Sequence, residues 1–300
     1  MSPNINLHEA LAEHLRKTGN SMAAAARQIG FSSTVLSLWA SGKYKGNVTH
    51  VDESVFAFLQ RQEEISSLKK VDRKFVEITA AKRIFGLVRL AHLRSKMCVL
   101  TGRAGSGKTV TLQEYTKHNP STILIEADSL HTKDALLREI HRRLGFTGRG
   151  VLRHVMDDIV DKLLGSDRLL IIDEADQLSV YALEVIRGIH DKAHIGVVLA
   201  GLPRLIENIR GLRGELEQIY SRVVQHLRLD DNLSVEDAGL ICRAYLDSGV
   251  NGTVKTFHSC ARGNARMLTN LIGTTVDYCE HQHVALSKDV VSEISKTMLV

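Results

Sequence analysis

The chain has 300 residues, of which 44% are hydrophobic and 24% are charged, and its formal net charge is +5 at pH 7. This composition is that of an ordinary soluble globular chain, in which disorder is not expected, and its length allows two or three domains. The four cysteines lie singly, without the spacing of a disulfide framework or a zinc site. No signal-like segment and no run of roughly 18 apolar residues is present, so we expect a cytoplasmic protein that does not enter a membrane.

The first part of the sequence, residues 1–70, is predicted to form short helices. Leucines at helical spacing lead up to Gly19, where the first helix stops. An Ala-rich helix then ends at Gly30, and Ser32 is placed to cap a second helix that runs from about residue 33 to residue 41. Two short helices joined by a tight turn predict a helix-turn-helix domain.

The second of these helices is predicted to have one face for the core and one for a partner. We expect Val35, Leu38 and Trp39 to face the core. The candidate DNA contacts are outward hydroxyls and two following lysines: Ser33, Thr34, Ser37, Lys43 and Lys45. Hydroxyls suit a DNA groove and lysines suit its phosphates, and the region resembles the Cro and repressor type of helix-turn-helix. A small helical bundle that contacts protein is the alternative.

Between about residues 71 and 231, apolar strands alternate with helical segments. The strand-like segments read MCVLT, STILIEA, RLLIID, HIGVVLAG and RVVQHLRL. Continuous apolar strands in such alternation predict an α/β fold with a parallel sheet sandwiched by helices. Residues 232–300 read as a C-terminal helical domain, and Ser234 and Asp237 can form a capping box at its start.

A glycine-rich segment, GRAGSGKT, follows the first strand and matches the phosphate-loop pattern G-x-x-x-x-G-K-[ST] in full. Its glycines allow backbone N–H groups to surround phosphates, Lys108 supplies a positive charge, and Thr109 offers a hydroxyl to Mg²⁺. The predicted nucleotide contacts are the residues of this segment and the one after it: Gly102, Arg103, Ala104, Gly105, Ser106, Gly107, Lys108, Thr109 and Val110.

A pair of acids ends the third strand, RLLIIDEAD, at Asp173 and Glu174. A carboxylate at the tip of a buried strand beside a phosphate loop can hold the Mg²⁺ shell, which is the role predicted for Asp173. The neighbouring Glu174 is predicted to polarise an attacking water. Taken together, the two motifs predict a protein that binds and hydrolyses ATP.

A second cluster of cations lies in the segment between the second and third strands. Between residues 138 and 153, five arginines occur against one acid, Glu139: Arg138, Arg142, Arg143, Arg149 and Arg153. They are candidate contacts to a DNA phosphate backbone. A solvated helix face is the alternative.

The two nucleotide motifs resemble those of the AAA+ class of P-loop ATPases, and the similarity continues through the C-terminal helices, which would form the lid of that class. The resemblance implies that Arg222 reaches the terminal phosphate of a nucleotide in a neighbouring subunit, with Arg210 and Arg213 as alternatives. It also implies that Arg266, in GNARML, contacts the nucleotide of its own subunit. The class usually has a polar side chain after the fourth strand, but VVLAGLPRL offers none there, so we expect slow hydrolysis.

The order of the parts resembles the MuB-like family of AAA+ ATPases, which select target DNA in transposition; TnsC-like transposon regulators are related. The resemblance implies ATP and Mg²⁺ as cofactors and double-stranded DNA, bound largely without sequence preference, as a partner. It further implies self-assembly into a helical filament or ring and delivery of target DNA to a transposase. A helicase loader and a nucleotide-switched transcriptional regulator are the alternatives.

Overall fold

The computed structural model describes residues 6–67, 75–210, 217–230, 232–246 and 250–298. Contacts within the chain separate it into two compact units, Met1–Val71 and Asp72–Val300. Among the described residues, no helix is both long enough and apolar enough to cross a membrane.

The first unit is built from four helices: α1 Leu7–Thr18, α2 Met22–Ile29, α3 Ser33–Ala40 and α4 Val48–Ser67. Both turns around α2 follow the sequence signals, because Gly19 and Gly30 adopt left-handed conformations with φ of 68° and 97°. The Ser32 hydroxyl accepts a hydrogen bond from the Val35 N–H at 3.2 Å and so caps α3. Trp39 is buried and donates its indole N–H to Asp52 at 2.7 Å.

The prediction of which α3 residues face the core was wrong at one position. Leu38 is 39% exposed, whereas Leu36 is fully buried. Val35 and Trp39 do pack into the core of the unit, as expected. Leu38 points elsewhere because two residues along a helix turn the side chain by roughly 200°, so Leu36 and Leu38 cannot share a face.

The second unit contains a five-stranded parallel sheet in the order β2-β3-β4-β1-β5. All five predicted strands are present: β1 Met97–Thr101, β2 Thr122–Glu126, β3 Leu169–Asp173, β4 Gly196–Gly201 and β5 Val223–Arg228. The prediction of buried strands was wrong for β5, whose side chains are mostly exposed. It lies at the edge of the sheet and its sequence, VVQHLR, carries polar residues at its centre.

Helices cover both faces of the sheet: α5 Thr79–Arg94, α6 Lys108–His118, α7 Lys133–Arg143, α8 Leu152–Leu163 and α9 Val180–Ala193. Alternate residues of the inner strands point to opposite faces. Val99 and Leu170 therefore join a core with α7, α8 and α9, whereas Leu100 and Ile171 join a second core with α5 and α6.

The remaining helices are α10 Arg204–Arg210 and α11 Glu217–Tyr220, before β5, and four that follow it: α12 Val235–Tyr245, α13 Val254–Cys260, α14 Ala265–Gln282 and α15 Lys288–Thr297. The last four share a core with the start of α5. Half of the predicted capping box is present, because the Asp237 N–H donates to the Ser234 hydroxyl at 3.0 Å. The Asp237 carboxylate instead accepts from the N–H and hydroxyl of Thr79, and so caps α5 across the core.

Candidate nucleotide-binding site

The glycine-rich segment forms the connection between β1 and α6. Gly105 and Gly107 have φ of 79° and 88°, which glycine adopts without the strain that a side chain would bring. The Gly102 N–H donates to the Gly201 carbonyl at 3.2 Å and ties the loop to the end of β4. Helix α6 begins at Lys108 without a side-chain cap, so its first N–H groups face the loop.

Lys108 is almost completely buried beneath this loop, with 6% of its surface exposed. Its Nζ donates to the carbonyls of Gly102 at 2.7 Å and Arg103 at 3.1 Å. Burial lowers the pKa of Lys108, and the nearby carboxylates of Asp173 and Glu174 act against that shift. The Lys108 ammonium therefore lies in a largely dry site beside two acids.

The two acids have different environments at the end of β3. Asp173 is 1% exposed; its Oδ1 accepts from the Glu174 N–H at 2.9 Å, and its Oδ2 is buried without a hydrogen-bond partner. Glu174 is partly exposed and has a positive φ of 53°, which is unusual for a residue with a side chain. Burial raises the pKa of Glu174, and the charges of Asp173 and Asp176 raise it further.

Two buried polar atoms at the site, Asp173 Oδ2 and Ser106 Oγ, therefore have no partner among the described residues. Buried polar groups are nearly always hydrogen-bonded, so such atoms indicate a place for a bound polar group. Thr109 lies next to Lys108 in the first turn of α6 and is partly buried, while Val110 is 55% exposed. No cluster of three or more His, Cys, Asp or Glu side chains that could hold a metal by itself is found in the described parts.

The start of α14 contacts the glycine-rich segment directly. Asn264 donates its side-chain amide to the Ala104 carbonyl at 2.8 Å, and the Arg266 N–H donates to the Gly105 carbonyl at 3.3 Å. A Cβ at Gly105 would collide with the Asn264 side chain. The Arg266 side chain is exposed, and its charge contributes to the lowered pKa of Lys108.

A cleft opens beside this contact, between the loop, the start of α5 and the C-terminal helices. Its apolar walls include Ile78, Leu229, Leu233 and Ala265. Its polar walls include the N–H-rich loop at residues 103–106. The cleft thus joins an apolar compartment to the phosphate-binding loop.

Arg222 lies at the other end of the sheet. Strands β1 and β5 are parallel, with Met97 opposite Val223 and Thr101 opposite Arg228. Arg222 therefore precedes the amino end of β5, and the glycine-rich loop lies roughly 13 Å further along the strands. The Arg222 Nε donates to Asp191 Oδ1 at 2.8 Å.

The alternatives to Arg222 differ in their surroundings. The Arg210 guanidinium lies 5.3 Å from the centroid of the Tyr220 ring, a cation–π contact. Arg213 lies outside the described residues.

The arginine cluster does not form one uniform surface. Arg138 donates to the carbonyls of Gly148 at 2.9 Å and Gly150 at 3.2 Å, so it holds the α7–α8 loop, and its contact with DNA stays a prediction. Arg142 and Arg143 are exposed and both pair with Glu139. The two remaining members, Arg149 and Arg153, are also exposed, and no ion pair is found for either within the described chain.

The candidate DNA contacts of the first unit share one property, which is exposure. Every one of the predicted residues is exposed: Ser33, Thr34, Ser37, Lys43 and Lys45. Leu38 lies exposed among them.

Comparison with known proteins identifies the central part of the chain. A family model described as an AAA domain matches residues 92–209. The "Mu-like prophage FluMu DNA transposition protein B" of Haemophilus influenzae is 29% identical over 231 residues, which cover 74% of this chain and 79% of the relative. The "ATP-dependent target DNA activator B" of Escherichia phage Mu is 28% identical over 217 residues, which cover 68% and 67%.

The chain is therefore similar to MuB-like transposition proteins, and its residues 92–209 match an AAA domain. The resemblance drawn from the sequence is therefore confirmed. The fold of the chain is similar to that of the ORC2 protein of Aeropyrum pernix. The TM-score is 0.59 and the identity is 16%, over 77% of this chain and 72% of that one.

The sequence motifs of the AAA domain did not disclose the role of Asp176. This second aspartate of IIDEAD has 5% of its surface exposed; it accepts from the Leu202 N–H at 2.9 Å and pairs with Arg204 at 2.7 Å. A Cβ at Gly201 would collide with its carboxylate. A polar side chain at Gly201, the last residue of the fourth strand, would therefore have no space, because the buried carboxylate of Asp176 occupies that position.

Proposed function

We propose that the protein is an Mg²⁺-dependent ATPase that assembles on double-stranded DNA and delivers it to a transposase. The observation that supports ATP chemistry best is the unpartnered Asp173 Oδ2, buried near Lys108 at the end of β3. An acceptor-only oxygen in a dry site fits the coordination shell of a cation bound to phosphates. When bound, Mg²⁺ supplies charge neutralisation for phosphoryl transfer.

Different residues of the chain have different roles in this proposal. The N–H groups around Gly105 and Gly107 bind phosphate oxygens, and Lys108 turns from the Gly102 carbonyl towards them. Thr109 and Asp173 would hold Mg²⁺, while Glu174, whose pKa is raised by burial, accepts a proton from the attacking water. The C-terminal helices act as a lid, in which Arg266 contacts the nucleotide from the same subunit.

The cleft between the lid and α5 would take the nucleoside. Its apolar walls suit a base, and the loop at its other end suits the phosphates. Because Asn264 and Arg266 contact the loop itself, binding of phosphates there changes the contacts of the lid. Nucleotide binding can therefore be transmitted to the C-terminal helices.

The DNA role is supported by the printed names of the relatives and by the exposed cations. One relative is named an ATP-dependent target DNA activator. Among the described residues, Arg149 and Arg153 are the arginines of the cluster for which neither an ion pair nor a side-chain hydrogen bond is found, so they would contact the DNA backbone first. The first unit, as a helix-turn-helix domain, would add Ser33, Ser37 and Lys43.

Assembly is proposed on the position of Arg222, which cannot reach the phosphate loop of its own chain. A head-to-tail contact between copies would bring Arg222 of one copy to the nucleotide of the next, and such contacts build helical filaments or rings. A transposase would then act on the DNA held by the assembly.

The experiment is a titration of random-sequence duplexes of several lengths with the full chain, with and without ATP and Mg²⁺, over a series of salt concentrations. We expect ATP-dependent binding that strengthens with duplex length and tolerates sequence. The double variant Arg149→Ala/Arg153→Ala should bind more weakly, with a salt slope smaller by about 0.9 for each lost phosphate contact.

Lys117→Ala is the matched control, because Lys117 is exposed and pairs only locally with Glu114. It should keep the wild-type slope. Binding of one operator sequence by a dimer, independent of duplex length, would instead support a transcriptional regulator and contradict the proposal.

A further inference from the structure

One face of α9 carries a chain of charged side chains that ends on Arg222. Arg187 donates through Nε and one terminal nitrogen to Glu184, at 2.9 Å and 2.8 Å, and through its other terminal nitrogen to Asp191 at 2.8 Å. These residues are spaced three and four apart, so they share a face of the helix. Arg187 thereby fixes the Oδ2 side of the Asp191 carboxylate.

The Oδ1 of the same carboxylate accepts from the Nε of Arg222 at 2.8 Å. The Arg222 side chain is 47% exposed and that of Asp191 is 26% exposed. Burial by itself raises the pKa of Asp191, but hydrogen bonds and charge from Arg222 and Arg187 outweigh burial and lower it. Asp191 is therefore an ionised acceptor that is held on one side by Arg187 and holds Arg222 on the other.

The hydrogen bond to Asp191 uses Nε and not the terminal amino groups of Arg222. Those two groups form the fork that binds phosphate or carboxylate in parallel hydrogen bonds. An arginine anchored through Nε keeps this fork available while its rotation is restricted. Less conformational entropy is then lost when the fork meets a ligand.

We infer that Asp191 is a positioning residue, which orients Arg222 towards a nucleotide bound by a second copy of the chain. The inference rests on the proposed action of Arg222 between subunits. Arg187 and Glu184 fix Asp191 in turn, so α9 supplies the support for a side chain that lies on another element.

The experiment measures steady-state ATP hydrolysis by the full chain on random duplex DNA, for Asp191→Ala, Arg222→Ala and the double variant. We expect Asp191→Ala to lower kcat about tenfold, because a displaced catalytic group loses rate steeply, with KM within about twofold. In the Arg222→Ala background, removal of Asp191 should cause no further loss, since both changes act through the same side chain.

A salt bridge that only fastens β5 to α9 would lower thermal stability and leave kcat unchanged. Melting temperatures are therefore measured on each variant, and Asp191→Asn, which keeps the shape and one acceptor, serves if Asp191→Ala does not fold. Glu13→Ala is the control, because it removes another exposed ion pair, with Lys17.

Two results would overturn the inference and remain distinct from each other. If Arg222→Ala lowers kcat while Asp191→Ala leaves it unchanged or raises it, Arg222 acts without the support of Asp191. If Arg222→Ala itself keeps the wild-type kcat, the proposed action of Arg222 between subunits is lost as well.

Discussion

The parallel strands begin at one edge of the sheet, the amino edge, and end at the opposite one, the carboxyl edge. These two edges differ in the charged groups that they bury. At the carboxyl edge, Lys108 and Asp173 are almost completely buried, and two polar atoms lack a partner in the part of the chain that the structure describes. At the amino edge, Arg222 is half exposed and its Nε is already bonded to Asp191. One edge thus has the groups that are proposed to bind a nucleotide, and the other has an arginine that lies too far from them within the same chain. Under the proposed function, a complete site would therefore draw on two copies of the chain.

The largest effect is expected from a change at the buried edge. Lys108→Ala removes the ammonium beside the phosphates, and hydrogen bonds to charged groups contribute about 1.5–3 kcal/mol each. We expect ATP affinity to fall by on the order of a hundredfold and ATP-stimulated DNA binding to disappear. Titration with a fluorescent ATP analogue measures this loss, and Lys117→Ala on the same helix should retain wild-type affinity. Normal affinity in the Lys108 variant would disprove the phosphate-loop role.

The next effect concerns the proposed contact between Arg222 of one copy and the nucleotide site of the next. Arg222→Ala should lower ATP turnover by about a thousandfold, the lower end of the range for arginines that act between molecules. Glu174→Gln should also abolish turnover, because the base is lost. In an equal mixture of the two variants, roughly a quarter of the head-to-tail interfaces combine an intact Arg222 with an intact Glu174. Recovery of turnover in the mixture is expected, and failure to recover any would indicate that Arg222 acts within its own chain.

The smallest effect concerns His226 on β5, whose Nε2 lies 2.7 Å from the Thr101 hydroxyl. Burial lowers the pKa of His226, and the charges of Arg210 and Arg228 lower it further. A histidine with a lowered folded pKa binds fewer protons in the folded state, so its contribution to stability is present above about pH 6.5 and is lost as the pH falls.

Melting temperatures between pH 7.5 and 5.5 measure this contribution. The slope should be shallower for His226→Gln than for the wild type, by a small amount because His226 is largely exposed. Parallel slopes for the wild type and His226→Gln would exclude the contribution.

The sequence predicts those parts that depend on local pattern. The five strands, the turn at Gly30 and the cap at Ser32 each follow from a few adjacent residues. Leu38 was misplaced because eight residues of α3 contain too many apolar positions to define one face. Strand β5 is exposed because it is the outermost strand of the sheet, and local sequence pattern does not predict the order of the strands.

Site residues divide in the same way. The roles of Lys108, Asp173 and Glu174 are predicted from contiguous motifs. Asp191 and Arg222 are separated by 31 positions and meet only because the fold brings the turn before β5 against α9. The contact of Asp237 with Thr79 spans 158 positions and has no local signal.

Gly201 illustrates a constraint on how this ATPase can change over evolutionary time. A polar side chain after β4 would be a single substitution away in sequence, yet the Asp176 carboxylate fills the space it needs. Loss of Asp176 would in turn release Arg204 and the N–H of Leu202. Either substitution made first is expected to give a less stable protein, so we expect the two positions to change together.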